Sequence, residues 1–357
     1  MENQEITPAI KQKVKSKIYD RYNWGSLAVC FQIGIATVIS TALQLGVFIL
    51  MVSKDQSLLK GGMASVTSST AEYAMVFTAV AYIVANTVSA AIALKVSKTG
   101  RIRDYITKPS ISALDIVLAC IAILGISSVD SLIMDGINSI FDDSSEALGM
   151  LLGGGMFSDN LAIKLISIAY IAVLGPVSEE ILLRGCVLPL SSHISPRFAV
   201  FCSALLFGLM HGNVTQIFNA FMLGLLLAYV TLKSRSIIPA MLMHIANNSL
   251  SVVFSFIMNG MDTAAANRFD LISNAVVAVI GIVPLILLIR RLGKVDESRD
   301  ILKITPPVPQ EYIDKVVTPD NPMTMKTFFT TWALWLVIGF AVFMSFVMIV
   351  LGQSLGG

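Results

Sequence analysis

The chain has 357 residues, of which 55% are hydrophobic and 13% charged, with a mean hydropathy of +0.78. That composition excludes a soluble enzyme carrying one greasy helix and describes a polytopic membrane protein. The net charge of +2 says little by itself; how the charges are distributed says more. No nucleic acid or nucleotide partner is expected. There is no phosphate loop of the GxxxxGK[ST] type, and the Gly-Gly-Gly at 153–155 lacks the lysine that would follow.

Residues 1–23 are polar and basic, and the first apolar run is too long for the core of a signal peptide, so no cleavable signal is expected. Ile10, Val14, Ile18 and Tyr22 form an i,i+4 stripe among lysines. That stripe suits either a helix lying on an anionic leaflet or a solvated basic tail that sets topology. Apolar runs then follow at 24–52, 73–94, 112–134, 161–190, 196–211, 214–232, 237–258, 271–289 and 328–351. All but 196–211 are long enough to cross roughly 30 Å of hydrocarbon. That short run starts with Ser195 as a cap and Pro196 in the first helical position, and its end at His211-Gly212 is expected inside the bilayer. The four cysteines, Cys30, Cys120, Cys186 and Cys202, all fall in apolar runs without metal-ligand spacing and read as buried thiols.

Loop charge supports this count. Lys11, Lys13, Lys15, Lys17 and Arg21 precede the first span; Lys95, Lys98, Arg101, Arg103 and Lys108 follow the second. Arg197, then Lys233 and Arg235, then Arg290, Arg291 and Lys294 fall on the same side if about nine spans alternate. The other side receives Asp135, Asp142, Asp143, Glu146, Asp159, Asp262 and Asp270. The positive-inside rule then puts the N-terminus in the cytoplasm and the C-terminus outside. Residues 135–160 form an acidic, Gly-rich outer loop, and 292–327 a polar, Pro-containing inner one. No internal repeat points to the inverted halves of a transporter.

Ionisable groups inside such spans are costly and are functional candidates by default. The run 161–190 carries Gly175-Pro-Val-Ser-Glu-Glu-Ile-Leu-Leu-Arg184. Glu180 and Arg184 are spaced i,i+4, share a helix face and neutralise one another. Glu179 sits about 100° round the helix without such a partner and is the acid left for chemistry. Gly175-Pro176 should kink the helix and free backbone carbonyls. Only three histidines are present. His193 reads as an exposed interfacial residue. His211 closes Phe207-Gly-Leu-Met-His211, and His244 opens His244-Ile-Ala-Asn-Asn248, each pair sharing a face. Counting rise from each inner end puts Glu179 roughly 17 Å deep, His211 roughly 22 Å, Asn248 roughly 16 Å and His244 roughly 10 Å. A carboxylate, two imidazoles and an amide near one level can activate water and hold an oxyanion. They can also serve as interhelical hydrogen bonds that glue the bundle.

EExxxR at 179–184, FxxxH at 207–211 and HxxxN at 244–248, in that order on successive spans, resemble the CPBP family. These are intramembrane proteases that include the CAAX prenyl endopeptidase and the bacterial bacteriocin-immunity homologues, also called Abi. The likeness spans about residues 161–255. It implies that Glu179 and His211 activate water, and that His244 and Asn248 assist the oxyanion, with Glu180, Arg184 and Phe207 in support. A second mechanism has Glu179, His211 and His244 holding zinc with one position open for water. There is no HExxH, so no cofactor is certain.

The expected fold is therefore all-α: a polytopic bundle of about nine spans around a mid-membrane polar site. Residues 1–23 would be a basic cytoplasmic or interfacial segment and 24–160 a three-span region. Residues 161–290 would be the catalytic core, and 291–357 the inner loop and last span. The resemblance implies a peptide hydrolase of a bacterial cytoplasmic membrane, cutting a peptide or membrane-protein substrate that arrives from a cytoplasmic cavity or laterally from the bilayer. The alternative is a non-catalytic immunity or scaffold protein on the same fold.

Overall fold

The structure is a computed structural model, and it describes residues 7–56, 73–138, 156–192, 194–294, 308–317 and 323–355. His193, most of the outer loop 135–160 and much of the inner loop 292–327 lie outside the described residues. Among the described residues there are helices and turns and no strands. The helices are α1 Pro8–Val52, α2 Ala74–Ser97, α3 Ala113–Asn138, α4 Leu161–Ser192, α5 Pro196–Leu209 and α6 Val214–Ser234. They continue with α7 Ile238–Met258, α8 Thr263–Leu292, α9 Gln310–Val316, α10 Met323–Phe329 and α11 Trp332–Leu355. Each apolar run read from the sequence is thus a helix. Seven are long and apolar enough to cross a membrane, with α5 and the described part of α11 as shorter apolar helices. Broad apolar faces point outward, such as Leu271, Ile272, Val276, Val279 and Val283 on α8. With no water to receive them, such faces belong in lipid, and the chain is an integral membrane protein.

Short polar signals set the helix ends. The Ser195 hydroxyl accepts the Phe198 N–H, Asn213 accepts from Gln216 and Asp262 from Ala265, each at the start of a helix. At 14 residues α5 covers about 21 Å, short of a full crossing. His211-Gly212 follows its end, and Gly212 takes φ +66° to begin the turn into α6. The last helix lies over this turn: a Cβ on Gly212 would stand 3.0 Å from the Cβ of Met344, and the Ser345 hydroxyl donates to the Gly212 carbonyl.

The first helix departs from expectation. α1 runs for 45 residues without a break, so the basic stretch and the first span are one rod. Val14, Ile18 and Tyr22 are buried, and the Tyr22 ring meets Phe198 and Phe328 edge-on at 6.0 and 5.6 Å. Tyr22 is covered by α5 and α10, and Val14 and Ile18 are buried with it inside the protein. Helical periodicity gives an apolar face but does not name what covers it.

Candidate active site

The helix that carries the carboxylates is not regular. α4 contains two wide, π-type turns, Tyr170–Leu174 and Leu183–Val187. In the first, the Gly175 N–H reaches back five residues to the Tyr170 carbonyl. The next such bond would run from residue 176 to the Ile171 carbonyl, but Pro176 has no N–H. The Ile171 carbonyl is left over, and the Asn248 side-chain amide donates to it at 3.0 Å. The break expected at Gly175-Pro176 is therefore a widened turn, and it anchors Asn248 of α7 against α4. Asn248 Oδ1 accepts from Asn247 at 3.3 Å, and the second amide hydrogen of Asn248 is left for the cavity described below.

His211 is fixed by the same kind of accounting. α5 stops at Leu209, and the His211 backbone N–H turns to the Gly208 carbonyl. That strands the Phe207 carbonyl, which His211 takes through Nδ1 at 2.8 Å. A carbonyl only accepts, so Nδ1 carries the hydrogen and Nε2 points away from the helix end. The Phe207 ring lies edge-on to both imidazoles, at 5.1 Å from His211 and 5.6 Å from His244. The Arg184 guanidinium sits 4.8 Å from the centre of that ring.

Below this floor lies a buried ionic cluster. Glu180 and Arg184 are both fully buried and paired at 2.8 Å. Arg184 also donates to the Gly224 carbonyl at 3.1 Å. α6 comes close enough for this because Gly224 lies against α5, where a Cβ would stand 2.9 Å from the Ala204 Cα. Glu180 does more than the i,i+4 spacing suggests. Its Oε1 also accepts from His244 Nδ1 at 2.9 Å. That bond leaves His244 Nε2 facing the Glu179 carboxylate at 3.7 Å. The two adjacent glutamates thus hold one imidazole from both sides, one as anchor and one as neighbour.

Glu179, His211, His244 and Asn248 all line one cavity of about 520 Å³, together with Phe207 and Asn247. Glu180 and Arg184 lie beneath it. Other polar wall residues were not assigned to the site from sequence, where Asp135 and Asp270 were read only as outer-side charges: Asp130 and Asp135 on α3, Asn219 on α6 and Asp270 on α8. Asp130 was legible as an ionisable group inside an apolar run, but only packing places it on the same cavity as Glu179. The wall residues come from the C-terminal part of α3 and the starts of α6 and α8. Lys95, Lys233, Arg290 and Arg291 sit in the last turns of α2, α6 and α8, at the opposite end of the bundle. The cavity therefore lies towards the end away from the basic residues.

The zinc set of Glu179, His211 and His244 does not fit the geometry. Among the described residues, no three His, Cys, Asp or Glu side chains are grouped so as to hold a metal ion.

Residues 161–250 match the family model described as Rce1-like, "Type II CAAX prenyl endopeptidase Rce1-like". Over this segment the chain is similar to the CAAX protease, or CPBP, family. The match contains α4, α5, α6 and most of α7, and with them every residue of the three motifs. At family level it supports an intramembrane protease of the CAAX type. No curated protein and no solved structure shows a significant match to the chain.

Proposed function

We propose that the protein is an intramembrane endopeptidase in which Glu179 activates water and Asn248 and His244 stabilise the oxyanion. The observation that carries the reading is the meeting of four polar side chains from α4, α5 and α7 on one cavity wall, with His211, His244 and Asn248 each oriented by a separate partner. Preorganised groups of this kind cost no reorganisation when charge develops, which is where electrostatic catalysis gets its size. Glu179 is the one carboxylate of the motif that faces the cavity, so it takes the water proton as the water oxygen attacks the peptide carbonyl carbon. His211, with Nδ1 committed to the Phe207 carbonyl, has Nε2 to hold that water in line. The tetrahedral oxyanion accepts from the second amide hydrogen of Asn248, and also from His244 Nε2 when that ring, already donating from Nδ1 to Glu180, is doubly protonated. When the carbon–nitrogen bond breaks, the proton held by Glu179 passes to the leaving amine, which returns the carboxylate.

The test is cleavage of a mixed-sequence peptide library by purified protein in lipid discs, read by mass spectrometry. We expect wild type to cut a subset of peptides and Glu179→Gln to cut none while unfolding at an unchanged temperature. A library left intact by well-folded wild type, or cut equally by Glu179→Gln, overturns the reading.

A further inference from the structure

The buried stripe of the last helix ends on a polar residue. Leu334, Val337 and Ala341 of α11 are buried at helical spacing, and the stripe continues to Ser345, which is 8% exposed. A hydroxyl inside a helix usually spends its hydrogen on the carbonyl four residues back, as those of Thr37, Thr87, Thr231 and Ser255 do. Ser345 reaches across instead, and its hydroxyl donates to the Gly212 carbonyl at 3.2 Å. That carbonyl belongs to neither neighbouring helix, since α5 stops at Leu209 and α6 is capped by Asn213. Gly212 is buried, and a carbonyl in a dry turn needs a donor. The contact is close: a Cβ on Gly212 would stand 3.0 Å from the Met344 Cβ and 3.3 Å from the Phe340 ring.

α11 is itself pinned at its start. The Ala333 N–H donates to Asn23 Oδ1 at 3.3 Å, and the Cys30 thiol donates to the Ala333 carbonyl at 3.5 Å. α1 and α11 both lie outside the segment that matches the family model. We propose that Ser345 is a positioning residue for His211, acting through the turn that follows it. Gly212 sits at φ +66° with no side chain to fix the direction of its carbonyl, so the bond from Ser345 sets how the chain leaves His211. The His211 and Gly212 N–H groups fold back onto the Gly208 and Leu209 carbonyls. A rotation of the Gly212 peptide therefore pulls on the backbone that aims His211 Nδ1 at the Phe207 carbonyl. The inference rests on the protease reading for what His211 does in turnover, whereas the bond and its hold on the ring do not depend on that reading.

Two measurements keep this role separate from the protease reading. The first follows the ring without turnover. The chain has only three histidines, so the NMR spectrum of protein with isotope-labelled histidine in lipid discs resolves them, and His211→Ala identifies the signal that belongs to His211. We expect Ser345→Ala to move the His211 signals and to speed exchange of its Nδ1–H with water, while those of His193 and His244 stay in place. Ser345→Thr, which keeps the hydroxyl, should restore them. The second measurement is cleavage of a peptide that wild type cuts. Ser345→Ala should lower kcat about tenfold at unchanged KM, the worth of one positioned hydrogen bond, and Ser345→Thr should recover it. In a His211→Ala background the same change should cost nothing further, because its effect passes through the ring. Unmoved His211 signals overturn the proposal, as does an unchanged kcat or a loss that persists undiminished in His211→Ala. If well-folded wild type cuts nothing, the protease reading falls and the ring signals alone decide the role of Ser345. Glu179-dependent cutting that ignores Ser345 leaves the protease standing and removes the positioning role. Thermal unfolding serves as the folding control, and Ser345→Cys, close in size with a weaker donor, replaces Ser345→Ala should that variant unfold early.

Discussion

Arg184 shows how one side chain can be indispensable without touching substrate. It is fully buried, holds Glu180 at 2.8 Å and packs over Phe207. Removing it strands a carboxylate that is also the anchor of His244, and breaking such a buried pair typically costs about 3–5 kcal/mol. We expect Arg184→Ala to lower the unfolding temperature markedly and activity with it. A variant that unfolds like wild type yet has lost activity would contradict the structural role. The two oxyanion donors should behave differently from Glu179. His244→Ala and Asn248→Ala each remove one hydrogen bond that forms only in the transition state, so each should lose about 10²–10³ in turnover and keep a residue of activity. Chelators should leave wild type unaffected. Stoichiometric zinc in purified protein that disappears in His244→Ala would replace this mechanism with a metal one.

At the scale of the element, α4 works because it is imperfect. Its first wide turn exists next to a proline that cannot close the backbone bond to Ile171, and the freed carbonyl is the anchor of Asn248. Pro176→Ala restores an N–H and offers the backbone a partner of its own. We expect that variant to fold at least as well as wild type, since it adds a backbone hydrogen bond. Turnover should fall about tenfold, the worth of one positioned hydrogen bond, as Asn248 loses its anchor. Unchanged turnover with a fully folded protein would mean that Asn248 is held by other contacts. Elsewhere, close packing depends on residues that lack a side chain. α3 and α8 cross at Gly125 and Gly281, where a Cβ on Gly125 would stand 2.6 Å from the Gly281 Cα. That crossing fixes the two helices that present Asp130 and Asp270 to the cavity.

For the whole molecule, the open question is which side the cavity serves. The basic residues gather at one end of the bundle, and the acidic wall lies towards the other. The positive-inside rule makes the basic end cytoplasmic. A reporter fused after Gly357 should then read outside, and Ser131→Cys, on the cavity wall, should be labelled in intact cells by a membrane-impermeant maleimide applied externally. The native thiols make a low background, since Cys186 and Cys202 are buried and Cys30 and Cys120 half-buried. A cytoplasmic reporter at Gly357, or labelling of Ser131→Cys only after the membrane is opened, would invert the orientation.

The sequence alone determined the elements and the parts list. Runs of apolar residues long enough to cross hydrocarbon leave the backbone no alternative to helix, so each predicted run is a helix in the structure. The ionisable groups inside those runs stood out because their burial is costly, and i,i+4 spacing paired Glu180 with Arg184 correctly. What spacing could not reach is every contact made between helices. That Glu180 also grips His244, that Asn248 closes on the Ile171 carbonyl, and that Asp130 lines the same cavity as Glu179 depend on crossing angles and rotations. The stripe on α1 makes the same point in reverse. Its periodicity announced an apolar face, and only packing against Phe198 and Phe328 decided that protein covers it. A one-dimensional pattern fixes which face of a helix must leave water. Which neighbour receives that face is settled by how all the helices pack at once.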